Sequence, residues 1–182
     1  MARGPLDNTN QFDISTFPIT SLPISFSAWI YSSSFSGSYA IRIQHSTTFH
    51  EFGLLLQSGG NVIAQTRNSL SGISNSSGGS SVTADTWTQV GGIWRSGDDW
   101  RNHYVNGSPG TANTETRAVT QTSPFADIGP FAASTGLRVA DLAVWDADIG
   151  VAGMASLGAG SQTIMKVDQT SYPYTLGFSY GT

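Results

Sequence analysis

Apolar and polar residues alternate with a period of two along most of this 182-residue chain. In residues 24–31 (ISFSAWIY), Ile, Phe, Ala and Ile share one face, while Ser, Ser, Trp and Tyr share the other. Similar segments occur at 39–45, 52–56, 62–67, 87–95 and 136–145, and turn residues separate them at intervals of roughly ten residues. Asn106-Gly107 is the strongest turn signal, because a type I′ hairpin needs a positive φ at both positions. The pattern predicts an all-β sandwich of two antiparallel sheets.

Two segments carry signals of their own. Residues 149–157 place Met154 and Leu157 three positions apart, after Asp148 as a capping residue, and predict one short helix. Gly91 and Gly92 interrupt the strand predicted at 87–95, and glycines inside a strand indicate a bulge or a close approach of neighbouring atoms.

The charge and residue composition exclude several function classes. Only 11% of the residues are charged, the net charge is −4, and no basic patch occurs. We therefore expect no binding to nucleic acid or to an anionic membrane surface. Cysteine is absent, which excludes disulfides and thiolate chemistry. No apolar run is long enough for a membrane span, and the first residues (MARGPLDNTNQ) lack the apolar core of a signal peptide, so we expect no export leader.

Four segments resemble the laminin-G-like branch of the concanavalin A-like lectin and glucanase jelly-roll superfamily. They are, in order, ISFSAWIY at 24–31, WTQVGGIW at 87–94, HYVNG at 103–107 and GLRVADLAVWD at 136–146. With the predicted short helix, the resemblance extends over residues 24–160. It implies a two-sheet antiparallel jelly-roll sandwich, and we expect residues 1–182 to form a single domain of this kind. The fold serves lectins, hydrolases and adhesion modules, so it does not fix the function.

The carboxylates give no catalytic site. The resemblance implies that a glucanase would carry two Glu and an Asp at alternating positions of one strand. This chain has only Glu51 and Glu115, which are far apart in sequence and have no Asp two residues away. Glycoside hydrolysis needs two carboxylates flanking one bond. No G-x-S-x-G nucleophile motif occurs either. We therefore predict no catalytic residue and a protein that is not an enzyme.

The loop between the strands at 87–95 and 101–105 is the first candidate binding site. Asp98, Asp99 and Asn102 supply oxygen ligands for calcium, and Trp100 supplies a ring on which a sugar can stack. Calcium needs 6–8 oxygens, more than the loop alone offers, so a polar turn with Trp100 packed on its neighbours is the alternative. No other cofactor is expected.

Aromatic residues on the face opposite Phe26 are the second candidate. Trp29 and Tyr31 lie there and predict a contact surface for another subunit, with packing under loops as the alternative. In the strand at 136–145, alternation places Asp141 beside Val139 and Trp145 on a face that should be buried. We expect Asp141 to accept hydrogen bonds there or to pair with an arginine, with a metal-ligand role as the alternative.

These features favour a non-enzymatic structural protein of a phage particle. We expect a capsid decoration or tail-associated subunit that is assembled in the host cytoplasm, binds capsid or tail proteins and forms homo-oligomers. A surface rich in hydroxyl groups suits a hydrogen-bonded rim around small apolar anchors. The alternatives are a glycan-binding lectin or adhesion module, with calcium as an optional ion, and, third, a polysaccharide hydrolase of the same fold.

Overall fold

The computed structural model is a sandwich of two antiparallel sheets with one short helix. It describes residues 12–15, 17–35, 37–45, 50–68, 71–116, 119, 124–128 and 137–159. The elements are β1 (Phe12–Ile14), β2 (Ile24–Tyr31), β3 (Ser38–His45), β4 (Glu51–Leu56), β5 (Val62–Arg67), β6 (Ile73–Asn75), β7 (Thr88–Trp94), β8 (Arg101–Val105), β9 (Ser108–Pro109), β10 (Pro124–Ile128), β11 (Arg138–Trp145) and α1 (Gly150–Gly158). The six-stranded sheet has the order β1-β10-β3-β4-β5-β6, and the five-stranded sheet has the order β11-β2-β7-β8-β9. The predicted fold class is confirmed.

The predicted hairpin turn lies between β8 and β9. Asn106 has φ 48° and Gly107 has φ 76°, the positive values that a type I′ turn requires. The strands predicted from residues 24–31, 62–67 and 87–95 correspond to β2, β5 and β7, within two residues at each end.

Apolar side chains from the facing sides of the two sheets form the main core. Trp94 lies at its centre, with ring centroids 4.8 Å from Phe26 and 6.3 Å from Phe52. Gly92 leaves the space that this indole occupies, because a Cβ at position 92 would lie 2.7 Å from Trp94 Cη2. Burial of each large apolar side chain stabilises the fold by about 1.5–3 kcal/mol.

Helix α1 covers one half of the outer face of the five-stranded sheet. Met154 and Leu157 are buried there in a second cluster, whose sheet members are Ile93, Tyr104, Ala143 and Trp145. Gly91 allows the close approach, because a Cβ at position 91 would lie 2.6 Å from Met154 Sδ. Both glycines of β7 therefore mark close contacts, one of the two outcomes expected for them. Among the described residues, no helix is long and apolar enough to cross a membrane.

The prediction of a buried Asp141 is wrong. Asp141 is exposed, has φ 48°, and lies where the pairing of β11 with β2 shifts register between Ala140 and Ala143. An extra residue at such a bulge reverses the alternation beyond it. Leu137 therefore faces the main core before the bulge, whereas Trp145 faces α1 after it. The sequence also predicts one or two terminal strands, at 163–167 and 172–178, and these lie outside the described residues.

Candidate binding surface

The half of the outer face that α1 leaves uncovered carries an aromatic patch, which we define as Trp29, Tyr31, Asp85, Trp87 and Arg138. Trp29 and Tyr31 alternate with the buried Ala28 and Ile30 of β2, so they lie on the outer side of the five-stranded sheet. Tyr31 is paired with Arg138 of β11. Trp87 directly precedes β7 and is one of the few large apolar side chains of the described residues with substantial exposure, at 38%.

Contacts within the patch hold its side chains in place. The Tyr31 and Trp87 ring centroids lie 5.7 Å apart with planes inclined at 48°, and the Arg138 guanidinium lies 5.2 Å from the Tyr31 ring centroid. The Tyr31 hydroxyl donates a hydrogen bond of 3.1 Å to Asp85 Oδ1. This bond raises the pKa of Tyr31, because loss of the phenolic proton would break it. Asp85 is itself anchored, since its N–H donates to the Ser32 carbonyl at 2.9 Å.

The composition of the patch is that of a contact surface. Tyr, Trp and Arg dominate the energetically important positions of protein interfaces, because they bury much area with few rotatable bonds. At the margin of the patch, Asp85 adds a negatively charged hydrogen-bond acceptor and Arg138 adds a positively charged guanidinium. These groups are chemically suited to contact with a polar protein surface or with a polyhydroxylated ligand. Trp29 and Tyr31 were predicted from the sequence, whereas Asp85, Trp87 and Arg138 were not.

The loop at 98–102 forms several hydrogen bonds within the fold. Asp98 Oδ1 accepts the Trp100 N–H at 3.2 Å, the pattern of an Asx turn. The Arg95 guanidinium lies 4.0 Å from the Trp100 ring centroid, and Arg95 Nε binds Asp148 Oδ2 at 2.5 Å. Asp148 Oδ1 also accepts the Gly150 N–H at the start of α1. Trp100 therefore packs on its neighbours, as the alternative prediction states.

Unlike Asp98 and Asp99, Asn102 is buried and forms hydrogen bonds with β8 and with the segment that follows β9. Its side chain is buried, its Nδ2 donates to the Gly110 carbonyl at 3.0 Å, and its Oδ1 accepts the His103 N–H at 3.0 Å. In the described part of the chain, no three His, Asp or Glu side chains come together as a metal site. Calcium or sugar binding by Asp98, Asp99 and Trp100 stays a prediction.

The outer face of the six-stranded sheet contains a buried ion network that was not predicted from the sequence. Glu51 is completely buried between Arg42, at 3.5 Å, and Arg67, at 3.7 Å. The Tyr39 hydroxyl donates to Glu51 Oε1 at 2.6 Å, and burial together with this carboxylate raises the pKa of Tyr39 strongly. Gly53 gives the Tyr39 ring its place, because a Cβ at position 53 would lie 2.6 Å from Tyr39 Cε1. The network neutralises Glu51 and removes it from solvent.

A second polar cluster, the polar seam, joins β8 of one sheet to β6 of the other sheet and to the residue that follows it. Its members are Arg101 and His103 of β8, Ser74 of β6, and Ser76. Arg101 is buried and donates to Ser74 Oγ and to the Asp99 and Glu115 carbonyls.

The histidine of the polar seam is completely buried beside Ser76. Ser76 Oγ accepts the N–H of Ala64 and lies 2.7 Å from His103 Nδ1. Burial lowers the pKa of His103, so the ring is neutral at pH 7.

The comparison with protein families decides the family. A laminin-G family model, described as the concanavalin A-like lectin/glucanases superfamily, matches residues 6–148. The chain belongs to this family. The resemblance on which the fold was predicted is thereby confirmed. The search of the curated proteins found no match.

Solved structures support the same fold. The heptameric SAP-like pentraxin of Limulus polyphemus has 15% identity and a TM-score of 0.67, with 82% of this chain and 75% of that chain covered. Domain 4 of an extracellular arabinanase from Geobacillus stearothermophilus, solved with arabinotriose, has 12% identity and a TM-score of 0.72, with 87% and 81% covered. The receptor-binding domain of botulinum neurotoxin type G has 9% identity and a TM-score of 0.59, with 88% and 44% covered. At these identities the likeness concerns the fold alone.

Proposed function

We propose that this chain is a non-enzymatic attachment domain of a phage particle, a capsid decoration or tail-associated subunit that binds its partner through the aromatic patch. The observation that carries the proposal is the fixed, solvent-facing Tyr31–Trp87 pair, held between Arg138 and Asp85. Side chains that are already ordered lose little conformational entropy on binding, so such a pair binds more tightly than mobile aromatics would.

The two glutamates of the chain support a non-enzymatic role. Glu51 is buried and paired with two arginines on the six-stranded sheet. Glu115 is exposed beyond β9, and its carbonyl binds Arg101 of the polar seam. A glycosidase needs two carboxylates on opposite sides of one glycosidic bond. The two glutamates occupy different parts of the sandwich, which makes them unsuited to that chemistry.

The composition of the chain supports attachment through protein surfaces and a homo-oligomeric state in such a particle. Only 11% of the residues are charged, and the polar surface consists mainly of hydroxyl and amide groups. Such a surface suits a hydrogen-bonded rim around an apolar anchor. Repetition of a small domain in a homo-oligomer would strengthen weak single contacts through multivalency.

The test is retention on purified phage particles, measured by mass spectrometry of the particle proteins. Trp87→Ala removes the most exposed ring of the patch, and Ile73→Ala is the matched control, because Ile73 is 39% exposed on the other sheet. Loss of an interface anchor costs about 2 kcal/mol or more, so we expect retention of Trp87→Ala to fall by about thirtyfold and that of Ile73→Ala to stay unchanged. Absence of the wild-type chain from the particles would refute the phage setting.

Glycan binding is the second candidate function. It is favoured by the structural match to the arabinanase domain, which was solved with arabinotriose; the match covers most of this chain and most of that domain. Aromatic rings such as Tyr31 and Trp87 provide apolar faces for sugar rings. The measurement is calorimetric titration of the purified chain with arabinotriose, with and without calcium. Loss of binding in Trp87→Ala would place the sugar at the aromatic patch, whereas calcium-dependent binding lost in Asp98→Asn would place it at the loop.

A further inference from the structure

The hairpin turn Asn106-Gly107 is bonded on several sides to one residue, Gln89 of β7. The Gln89 N–H donates to Asn106 Oδ1 at 3.1 Å, and the Asn106 N–H donates to the Gln89 carbonyl at 2.8 Å. Gln89 Oε1 accepts the Gly107 N–H at 3.0 Å. Gln89 is completely buried, and its Nε2 donates to Ser27 Oγ at 2.9 Å. The amide side chain of Gln89 is therefore fixed at both ends.

An asparagine followed by glycine is the dipeptide most prone to deamidation, because glycine has no side chain to hinder the reaction. The amide nitrogen of Gly107 would lose its proton to a base and attack Cγ of Asn106. Ammonia would leave, and a five-membered succinimide ring would form. Water would then open the ring to an aspartate or isoaspartate at position 106. Overall, one water is consumed and one ammonia is released. Asn106 is exposed, so base and water reach it.

In the folded chain, Gln89 forms hydrogen bonds with both groups that react in deamidation. The attacking nitrogen is Gly107 N, whose proton is engaged by Gln89 Oε1. The Asn106 side-chain carbonyl, whose carbon would be attacked, is held by the Gln89 N–H. The bond to Gly107 must open before the nitrogen can lose its proton, and the bond to Oδ1 restricts the rotation of the Asn106 side chain that brings Cγ to the nitrogen. We propose that Asn106-Gly107 is a latent deamidation site that Gln89 keeps closed in the native protein.

Helix α1 also restrains the hairpin turn, so a modification at Asn106 would affect the helix. A Cβ at Gly158 would lie 2.2 Å from the Asn106 carbonyl carbon, and a Cβ at Gly107 would lie 2.7 Å from Ala155 Cα, so the last turn of α1 rests directly on the hairpin. The C-terminal end of a helix carries partial negative charge. A negative charge added at position 106, whose backbone contacts this helix end, or an isoaspartate that lengthens that backbone would weaken the contact, so deamidation would act as a one-way change that loosens α1.

The experiment compares deamidation rates at mildly alkaline pH by peptide mass spectrometry, with chromatographic separation of isoaspartate. The proteins are the wild-type chain, Gln89→Ala and Gln89→Glu. Gln89→Glu retains a side-chain acceptor for the Gly107 N–H, whereas Gln89→Ala removes it. Loss of one hydrogen bond of about 1.4 kcal/mol corresponds to a tenfold change, so we expect folded Gln89→Ala to deamidate about ten times faster than wild type. Gln89→Glu should remain close to the wild-type rate.

A second comparison keeps the proposal testable if Gln89→Ala does not fold. The wild-type chain is incubated folded and in urea, and the unfolded chain is expected to deamidate at least about ten times faster at Asn106, because unfolding opens the same hydrogen bonds. Equal rates in the folded and the unfolded wild-type chain would overturn the proposal. A folded Gln89→Ala protein that deamidates at the wild-type rate would overturn it as well.

Discussion

Acidification should destabilise this protein through His103. The ring is completely buried in the polar seam, with Nδ1 bound to the Ser76 hydroxyl. The backbone of Gly79 and Gly110 lies against it, since a Cβ at Gly110 would be 2.0 Å from His103 Cε1. Arg101 precedes His103 by two residues on β8, so its charged side chain lies on the same face of the strand. A proton on His103 would therefore place a second cation beside a buried guanidinium.

The direction and size of the effect follow from proton linkage. Burial holds the pKa of His103 below its ordinary value of 6.5, so between that lowered pKa and 6.5 the unfolded chain binds one proton more than the folded chain. The stability that this residue contributes is complete above pH 6.5 and falls as the pH decreases through this range. The loss approaches about 1.4 kcal/mol for each pH unit. In a domain of this size, each kcal/mol lowers the Tm by about 2–4 °C.

The assay is urea unfolding at pH 8, 7, 6 and 5, with His103→Gln as the control. Glutamine offers Ser76 an acceptor and does not titrate, and all other titratable groups are the same in both chains. The difference in unfolding free energy between the two proteins should be constant from pH 8 to 7. Below pH 6.5 it should shrink by up to about 1.4 kcal/mol per unit. Parallel pH profiles of wild type and His103→Gln would refute this reasoning.

Three further predictions concern stability, each checked by the urea midpoint. Gly92→Ala should cost about 1–3 kcal/mol, because the new methyl group would press on the Trp94 indole; an unchanged midpoint would contradict the close contact. Glu51→Gln should cost about 3–5 kcal/mol, because it leaves the two mostly buried arginines of the ion network without their carboxylate; a neutral effect would show that the arginines find other acceptors. Arg95→Ala should cost less than about 1 kcal/mol, because its ion pair with Asp148 is partly exposed, and a larger loss would mean that its contact with Trp100 supports the loop.

Period-two alternation predicted the long strands, and the spacing of Met154 and Leu157 after Asp148 predicted the helix, because both depend on local pattern. The short strands β1, β6 and β9 were not predicted. The same rule failed at Asp141, where a bulge changes which side chains face the core. A bulge inserts one residue into one strand only, and its position depends on the neighbouring strand. Alternation within a single segment therefore could not locate it.

The ion network around Glu51 and the polar seam could not be predicted from local sequence pattern for a similar reason. Glu51 lies on β4, and its partners come from β3 and β5. Arg101 and Ser74 are 27 residues apart and belong to different sheets. Such contacts are set by strand register and by the packing of one sheet on the other. For the aromatic patch, the sequence indicated the face of β2 but not Trp87, which lies just outside a strand.

The polar seam also affects how the domain bears mechanical load. Arg101 binds Ser74 of β6, His103 contacts Ser76 just after β6, and Thr111 forms a bridge with Ser77 along the same edge. A force that slides one layer of the sandwich along the other must break these contacts together and not one after another. Along this border, hydrogen bonds therefore add to core packing in resisting shear between the two layers.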